Sequence, residues 1–169
     1  YSSDDFIKHE IADVEILGTL RSMRLARLTI SPVQYNPVKG IIHVLNNIEV
    51  EVTFIGSDTE LTKYIKSSTY SPYFETVYEK ILNSRNREYP DHPDLVNYPV
   101  KYLIVSHQMF ENTLTPFIEW KTKKGFEVEV GYTDEIGSSV SNIQSWIADQ
   151  YNAGTPTDPA PSFVLFVGD

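Results

Sequence analysis

Apolar and polar positions alternate strictly near the end of the first third of the chain. Ile48, Val50, Val52 and Phe54 interleave with Glu49, Glu51 and Thr53, the period of two that marks a half-buried strand. Upstream, Leu25, Leu28 and Ile30 stand among Arg24 and Arg27 in the stretch from Met23 to Ile30. The run Asn36-Pro37-Val38-Lys39-Gly40 then supplies turn chemistry ahead of the apolar segment from Ile41 to Leu45. Strand, turn, strand is the simplest fit. Asn46-Asn47 suits either a tight turn between two strands or a bulge within one long strand.

Ser71-Pro72 has the form of a helix start, a hydroxyl cap followed by proline at the first helical position. Tyr73, Val77, Tyr78 and Ile81 are expected to supply its buried face. From Asn83 to Tyr98 the pattern breaks into Arg85, Arg87, Pro90, Pro93 and scattered polar residues with neither period, the sign of a boundary between domains. Beyond it the grammar changes. Tyr102 to Val105 is a short apolar run, and Phe117, Ile118 and Lys121 come next at helical spacing up to a stop at Gly125. Because proline deep in a helix deletes a hydrogen bond, Pro116 places the start of that helix near Thr115. Phe126 to Tyr132 reads as a strand, Val140, Ile143, Ile147 and Tyr151 as a helix, and Phe163 to Val167 as a strand. This order predicts a β-rich segment before the 83–98 boundary and an α/β domain with a parallel sheet beyond it, of which three strands are present. In open parallel sheets, functional groups gather at the carboxyl ends of the strands.

Composition narrows the function classes. A formal charge of −9 with no Lys/Arg cluster would repel phosphate backbones and anionic head groups, so nucleic acid is not an expected partner. No apolar run is long enough to span a bilayer, and the chain does not open on a basic-then-apolar signal; in a secreted parent the signal would already have been removed. The sequence has no cysteine, which excludes disulfides, thiolate metal sites and a thiol nucleophile within these residues. No fixed-period repeat is present.

Candidate chemistry is sparse. His9-Glu10 lacks the second histidine of a zinc-protease helix, since Asp13 stands at that position. Gly137-Ser138-Ser139 lacks the second glycine of a nucleophile elbow and precedes a helix, where serines cap. Neither a phosphate-cradling glycine loop nor a dinucleotide fingerprint follows any strand, so no organic cofactor is expected. Ser106-His107 falls at a strand end, where catalytic groups are displayed but where loops also begin, and no acid or nucleophile partner is apparent. Asp91, His92 and Asp94 form an acidic cluster in a proline-broken stretch that favours hydration over metal binding. Asp169 succeeds an apolar strand and a permissive glycine, a suitable position for a hard cation, although one carboxylate makes no site.

Particular residues then add a resemblance. Tyr89, Asp91-His92, Asp94-Leu95, Asn97, Pro99-Val100, Trp120-Lys121, Lys124-Gly125-Phe126, Tyr132-Thr133-Asp134-Glu135 and Val167-Gly168-Asp169 occur in the order found at the opening of gingipain catalytic domains. Over this stretch the chain resembles the gingipain-type cysteine peptidases, most closely their lysine-specific branch. Pro32-Val33-Gln34-Tyr35-Asn36-Pro37 and Ile48-Glu49-Val50-Glu51-Val52 resemble the late propeptide of the same family.

The resemblance implies a caspase-like α/β catalytic domain, a β-rich propeptide that assists folding and inhibits, and a secreted or cell-surface bacterial zymogen acting on proteins or peptides. It places processing at Arg87, ahead of Glu88, with Arg85 as the alternative, which divides the chain into residues 1–87 and 88–169, and it assigns Asp169 to a structural calcium. The family's catalytic cysteine and histidine would both lie after Asp169, as would its specificity residues, and the propeptide residue that plugs the specificity pocket would precede this stretch. No catalytic residue is therefore assigned here. The chain is expected to be inactive alone, with the remainder of the catalytic domain as its partner covering the sheet edge. The alternatives are a non-enzymatic gingipain-like surface or secretion protein, and a free-standing binding module.

Overall fold

In the computed structural model, residues 4–7, 10–21, 23–83 and 99–168 are described. They fall into two compact units, Tyr1–Asp58 and Thr59–Asp169. Of the expected boundary stretch 83–98, residues 84–98 lie outside the described residues.

The first unit consists of two antiparallel ribbons. Strand β1 (Ala12–Leu20) pairs with β2 (Met23–Ile30), and β3 (Val33–Asn36) with β4 (Ile41–Val44). The β2 and β4 segments agree with the strands expected from the sequence; β1 and β3 lie outside those expectations, although Ala12 to Ile16 and Val33 to Asn36 alternate apolar and polar residues. In β1 the register shifts between Ile16 and Gly18, and Gly18 takes φ +138°; glycine tolerates the kink that an extra residue imposes. Across the same ribbon Arg27 is ion-paired with Glu15, its register partner. The β3–β4 turn is held from inside by Asn36, which is 1% exposed. Its side-chain carbonyl accepts from the N–H groups of Val38 and Lys39 at 3.1 and 2.9 Å, while its amide donates to Asp4 at 3.1 Å. This is the local bonding that makes asparagine a turn former.

The strand expected from Ile48 to Phe54 does not form a ladder; these residues belong to no strand. Alternation specifies which face a strand would bury but supplies no partner. Among the described residues none pairs here, leaving Val52 and Phe54 exposed. Asn46-Asn47 is accordingly neither a hairpin turn nor a bulge: β4 ends at Val44, with one further bond from Leu45 N–H to the Pro32 carbonyl.

The second unit opens with helix α1 (Thr59–Ser68), then a 3-10 turn (Pro72–Phe74) that runs into the single turn α2 (Glu75–Tyr78). Ser71 occupies the cap position with extended backbone, but its hydroxyl makes no cap bond. It accepts instead from the Ser162 hydroxyl at 2.7 Å. The expected face also changes: Tyr78 is buried and Ile81 half-buried, whereas Tyr73 and Val77 are exposed on one side. A short helix cannot present the long stripe that helical spacing implies.

Strand β5 (Val100–Ser106), a 3-10 turn (Gln108–Phe110), α3 (Glu111–Lys123), β6 (Phe126–Tyr132), the single turn α4 (Thr133–Ile136), α5 (Val140–Asn152) and β7 (Phe163–Val167) complete the unit. The sheet is parallel with order β6-β5-β7, the alternating α/β architecture that the sequence predicts. Central β5 carries the core: Leu103 and Ile104 are fully buried, and Val105 nearly so. Helix α3 begins at Glu111 rather than near Thr115, with Pro116 inside it. The bond that proline forfeits belongs to the carbonyl of Asn112, an exposed residue that water can satisfy. The helix stops as expected at Gly125, whose φ of +87° permits the reversal.

The pleat sorts the two faces. Tyr102, Phe126 and Phe163 share one face with Phe117 of α3, their ring centroids lying 5.7–6.2 Å apart in the pairs Tyr102–Phe117, Tyr102–Phe126, Tyr102–Phe163 and Phe126–Phe163. The Lys121 ammonium sits 4.4 Å above the Tyr102 ring, a cation on the negative face of the π-system. On the opposite face Gly131 receives Trp146 of α5; a Cβ at residue 131 would stand 2.9 Å from Trp146 Cη2. Within α5, Ile143, Trp146 and Ile147 are half-buried while Val140 is exposed, so Val140 leaves the expected face. Gly131→Ala is expected to lower stability by about 1–3 kcal/mol through this overpacking, read as a shift of the urea midpoint.

Candidate functional site

Parallel strands end together, so the carboxyl edge of the sheet collects the residues just past each strand. Ser106 of β5 stands in register with Tyr132 of β6 and Val167 of β7. His107 comes directly after β5, Asp134 lies just beyond β6, and Gly168 succeeds β7.

His107 and Asp134 are brought together. Nε2 of the imidazole lies 3.5 Å from Asp134 Oδ1, and both side chains are about half exposed. Nδ1 accepts from Met109 N–H at 3.0 Å and so caps the 3-10 turn. An accepting Nδ1 leaves the proton of the neutral ring on Nε2, directed toward the carboxylate. At this distance the contact is longer than a good hydrogen bond, and in solvent it adds little stability. The acid that sequence reasoning does not supply for Ser106-His107 is thus Asp134. The signal that could have found it is its position just past the neighbouring strand end. Beside it, burial pushes the Tyr132 phenol above its ordinary pKa, and the charges of Glu111 and Glu135 push it further.

No nucleophile completes the pair among the described residues. Ser106 is 1% exposed, and its hydroxyl donates to the His107 carbonyl at 3.2 Å. Ser139 acts as the sequence suggests, accepting from Asn142 N–H at 3.2 Å to cap α5. His9, Arg87, Glu88, Asp91, His92, Asp94 and Asp169 lie outside the described residues. Among the described residues no group of three or more His, Asp or Glu side chains is placed to hold a metal, and no helix is long and apolar enough to cross a membrane.

Two family models match the sequence that builds this sheet and the segment before it. Residues 96–169 match Peptidase family C25 and residues 1–82 match Propeptide_C25. The chain belongs to the gingipain-type cysteine peptidase family, as late propeptide followed by the start of the peptidase domain. Over its whole length it is 43% identical to Lys-gingipain of Porphyromonas gingivalis, and 27% identical to gingipain R2 of the same organism. It spans 10% and 23% of the lengths of these two relatives. A solved structure described as "Structure of Protease" is 42% identical over 48% of this chain and 18% of its own, with a TM-score of 0.40.

Proposed function

We propose that the chain is the junction of a cysteine endopeptidase zymogen, secreted or held at the cell surface, with residues 1–87 as propeptide and 88–169 opening the catalytic domain. The observation that carries this is where the two family matches meet: one ends at residue 82, the other begins at residue 96, and Arg87 and Glu88 fall between. A basic residue in a proline-broken stretch suits cleavage, because a protease must thread an extended segment through its cleft.

The nucleophile is supplied by sequence other than these residues, since the chain has no cysteine. A thiolate would attack the scissile carbonyl, with donors placed to hold the developing oxyanion. This chain then contributes scaffold and is inactive alone. Support for the remainder of the catalytic domain as partner comes from β7, an edge strand with one backbone side unpaired in the sheet, whose Val164 and Phe166 are 40% and 62% exposed on a face left partly uncovered. The higher identity to Lys-gingipain favours lysine-directed cleavage of protein or peptide substrates.

Calcium at Asp169 belongs to the same proposal, supported by family membership and by Gly168, whose φ of +130° gives the backbone a conformation that few other residues adopt. The described residues offer no further ligand cluster, so any such site is completed from elsewhere.

In the full-length protein, Arg87→Ala is expected to abolish the species that begins at Glu88 and to leave hydrolysis of lysine and arginine amides at the level of the uncut precursor. Intact mass and amidase rates measure both. Unchanged maturation, or a cut after Arg85 with full activity, would refute Arg87 as the site.

A further inference from the structure

The covalent division and the physical one do not coincide. The propeptide family match runs to residue 82, yet the compact unit that holds the catalytic sheet starts at Thr59. The last part of the propeptide is therefore packed as a piece of the peptidase domain. Its seat is the amino-terminal end of the sheet, opposite the edge that bears His107 and Asp134. Phe126 is the first residue of β6 and Phe163 the first of β7, and both meet Tyr73. The Tyr73 ring stacks on Phe126 at 5.9 Å between centroids and lies edge-on to Phe163 at 4.8 Å.

Polar contacts fix the same register. The N–H of Ala160 donates to the Ser68 carbonyl at 2.8 Å, and the Ser162 hydroxyl donates to that of Ser71 at 2.7 Å. Ser68, Ser71 and Ala160 are 6%, 1% and 1% exposed. Water is excluded from these bonds, so breaking them leaves buried polar groups unpaired. Gly154 completes the seat, because a Cβ there would lie 2.6 Å from the Ser68 carbonyl oxygen and 2.7 Å from Ala160 N.

We propose that residues 68–78 are a retained plug: they close the amino-terminal end of the catalytic sheet and stay bound after the chain is cut between residues 83 and 99. This rests on the zymogen reading for its biological setting but not for its test. The partner surface is aromatic, formed by Phe126 and Phe163 set edge to face and backed by Tyr102, with the Ser162 hydroxyl as a polar latch. Because the plug sits at the end of the sheet remote from the carboxyl edge, its retention is compatible with an open active face. Release of any inhibitory part of the propeptide would then not require release of this tail.

The test uses the full-length protein carrying an affinity tag ahead of residue 1 and the recognition site of an unrelated protease between residues 87 and 96. The cut is thus imposed whether or not Arg87 is the natural site, and failure of maturation at Arg87 is scored separately. After cleavage, both fragments of the otherwise unchanged protein are expected to co-elute in gel filtration and on the tag resin. Tyr73→Ala is expected to raise the rate of fragment release at least about tenfold, the equivalent of 1.4 kcal/mol, while Tyr73→Phe, which keeps the ring, behaves like the parent. Immediate separation of the unsubstituted fragments would overturn the proposal. So would equal retention of Tyr73→Ala, which would place the attachment elsewhere in the propeptide. Far-ultraviolet circular dichroism before cleavage ensures that folded proteins are compared.

Discussion

Gly154→Ala is expected to lower the stability of the protein by about 3 kcal/mol, combining overpacking with the loss of a buried hydrogen bond. A methyl group at residue 154 would strike backbone on both sides, the Ser68 carbonyl and the Ala160 N–H. Neither can turn away as a side chain would. To make room, the two segments must part, which stretches the 2.8 Å bond between them. The loss is read as a lower unfolding midpoint for the transition of the unit that holds the sheet, measurable by calorimetry on the full-length protein before and after cleavage; the shift per kcal/mol shrinks as the cooperative unit grows. An unchanged Tm would mean that the segment from Ser68 to Ser71 is not seated as described.

The second large effect lies in the centre of the sheet. Leu103 has no exposed surface and sits on β5 between both neighbouring strands. Leu103→Ala removes methyl groups from a site that rigid strands prevent from collapsing, so the loss is expected to be about 2–5 kcal/mol. Ile55, 93% exposed, provides the contrast: Ile55→Ala should change stability by no more than about 0.5 kcal/mol. Urea unfolding with unchanged m values separates the two. Equal effects would contradict the burial pattern.

How much of the fold can be read from the sequence depends on where the signal is local. Tyr102 to Val105, Phe126 to Tyr132 and Phe163 to Val167 are legible as strands because each is a short apolar or alternating run between turn signals. The intervening α5 is legible from Ile143 and Ile147. Gly125 and Ser139 are legible as punctuation because backbone conformation and capping act within a few residues. Non-local pairing is not legible. Nothing in Glu15 or Thr19 announces that β1 will pair with β2, and the alternation of Ile48 to Phe54 says nothing about whether a partner strand exists. Ser71 shows the same limit. Its neighbour Pro72 suggests a cap, but Ser71 bonds instead to a hydroxyl far along the chain, that of Ser162. At the carboxyl edge, His107 is legible as a strand-end residue, whereas its pairing with Asp134 depends on β5 and β6 lying side by side.

The latch between Ser71 and Ser162 joins residues 91 positions apart, which sets an order of events during synthesis. At ribosomal speeds the tail emerges roughly 5–20 s before its receptor strand is complete. Through that interval Tyr73 can meet Phe126 of β6 but not Phe163, and β5 and β6 can pair before β7 exists. Closure of the amino-terminal end is therefore a late step that reports the arrival of β7. A nascent chain stalled short of Ala160 would hold a two-stranded sheet and a tail without its polar latch or its Phe163 contact, a species open to chaperone capture.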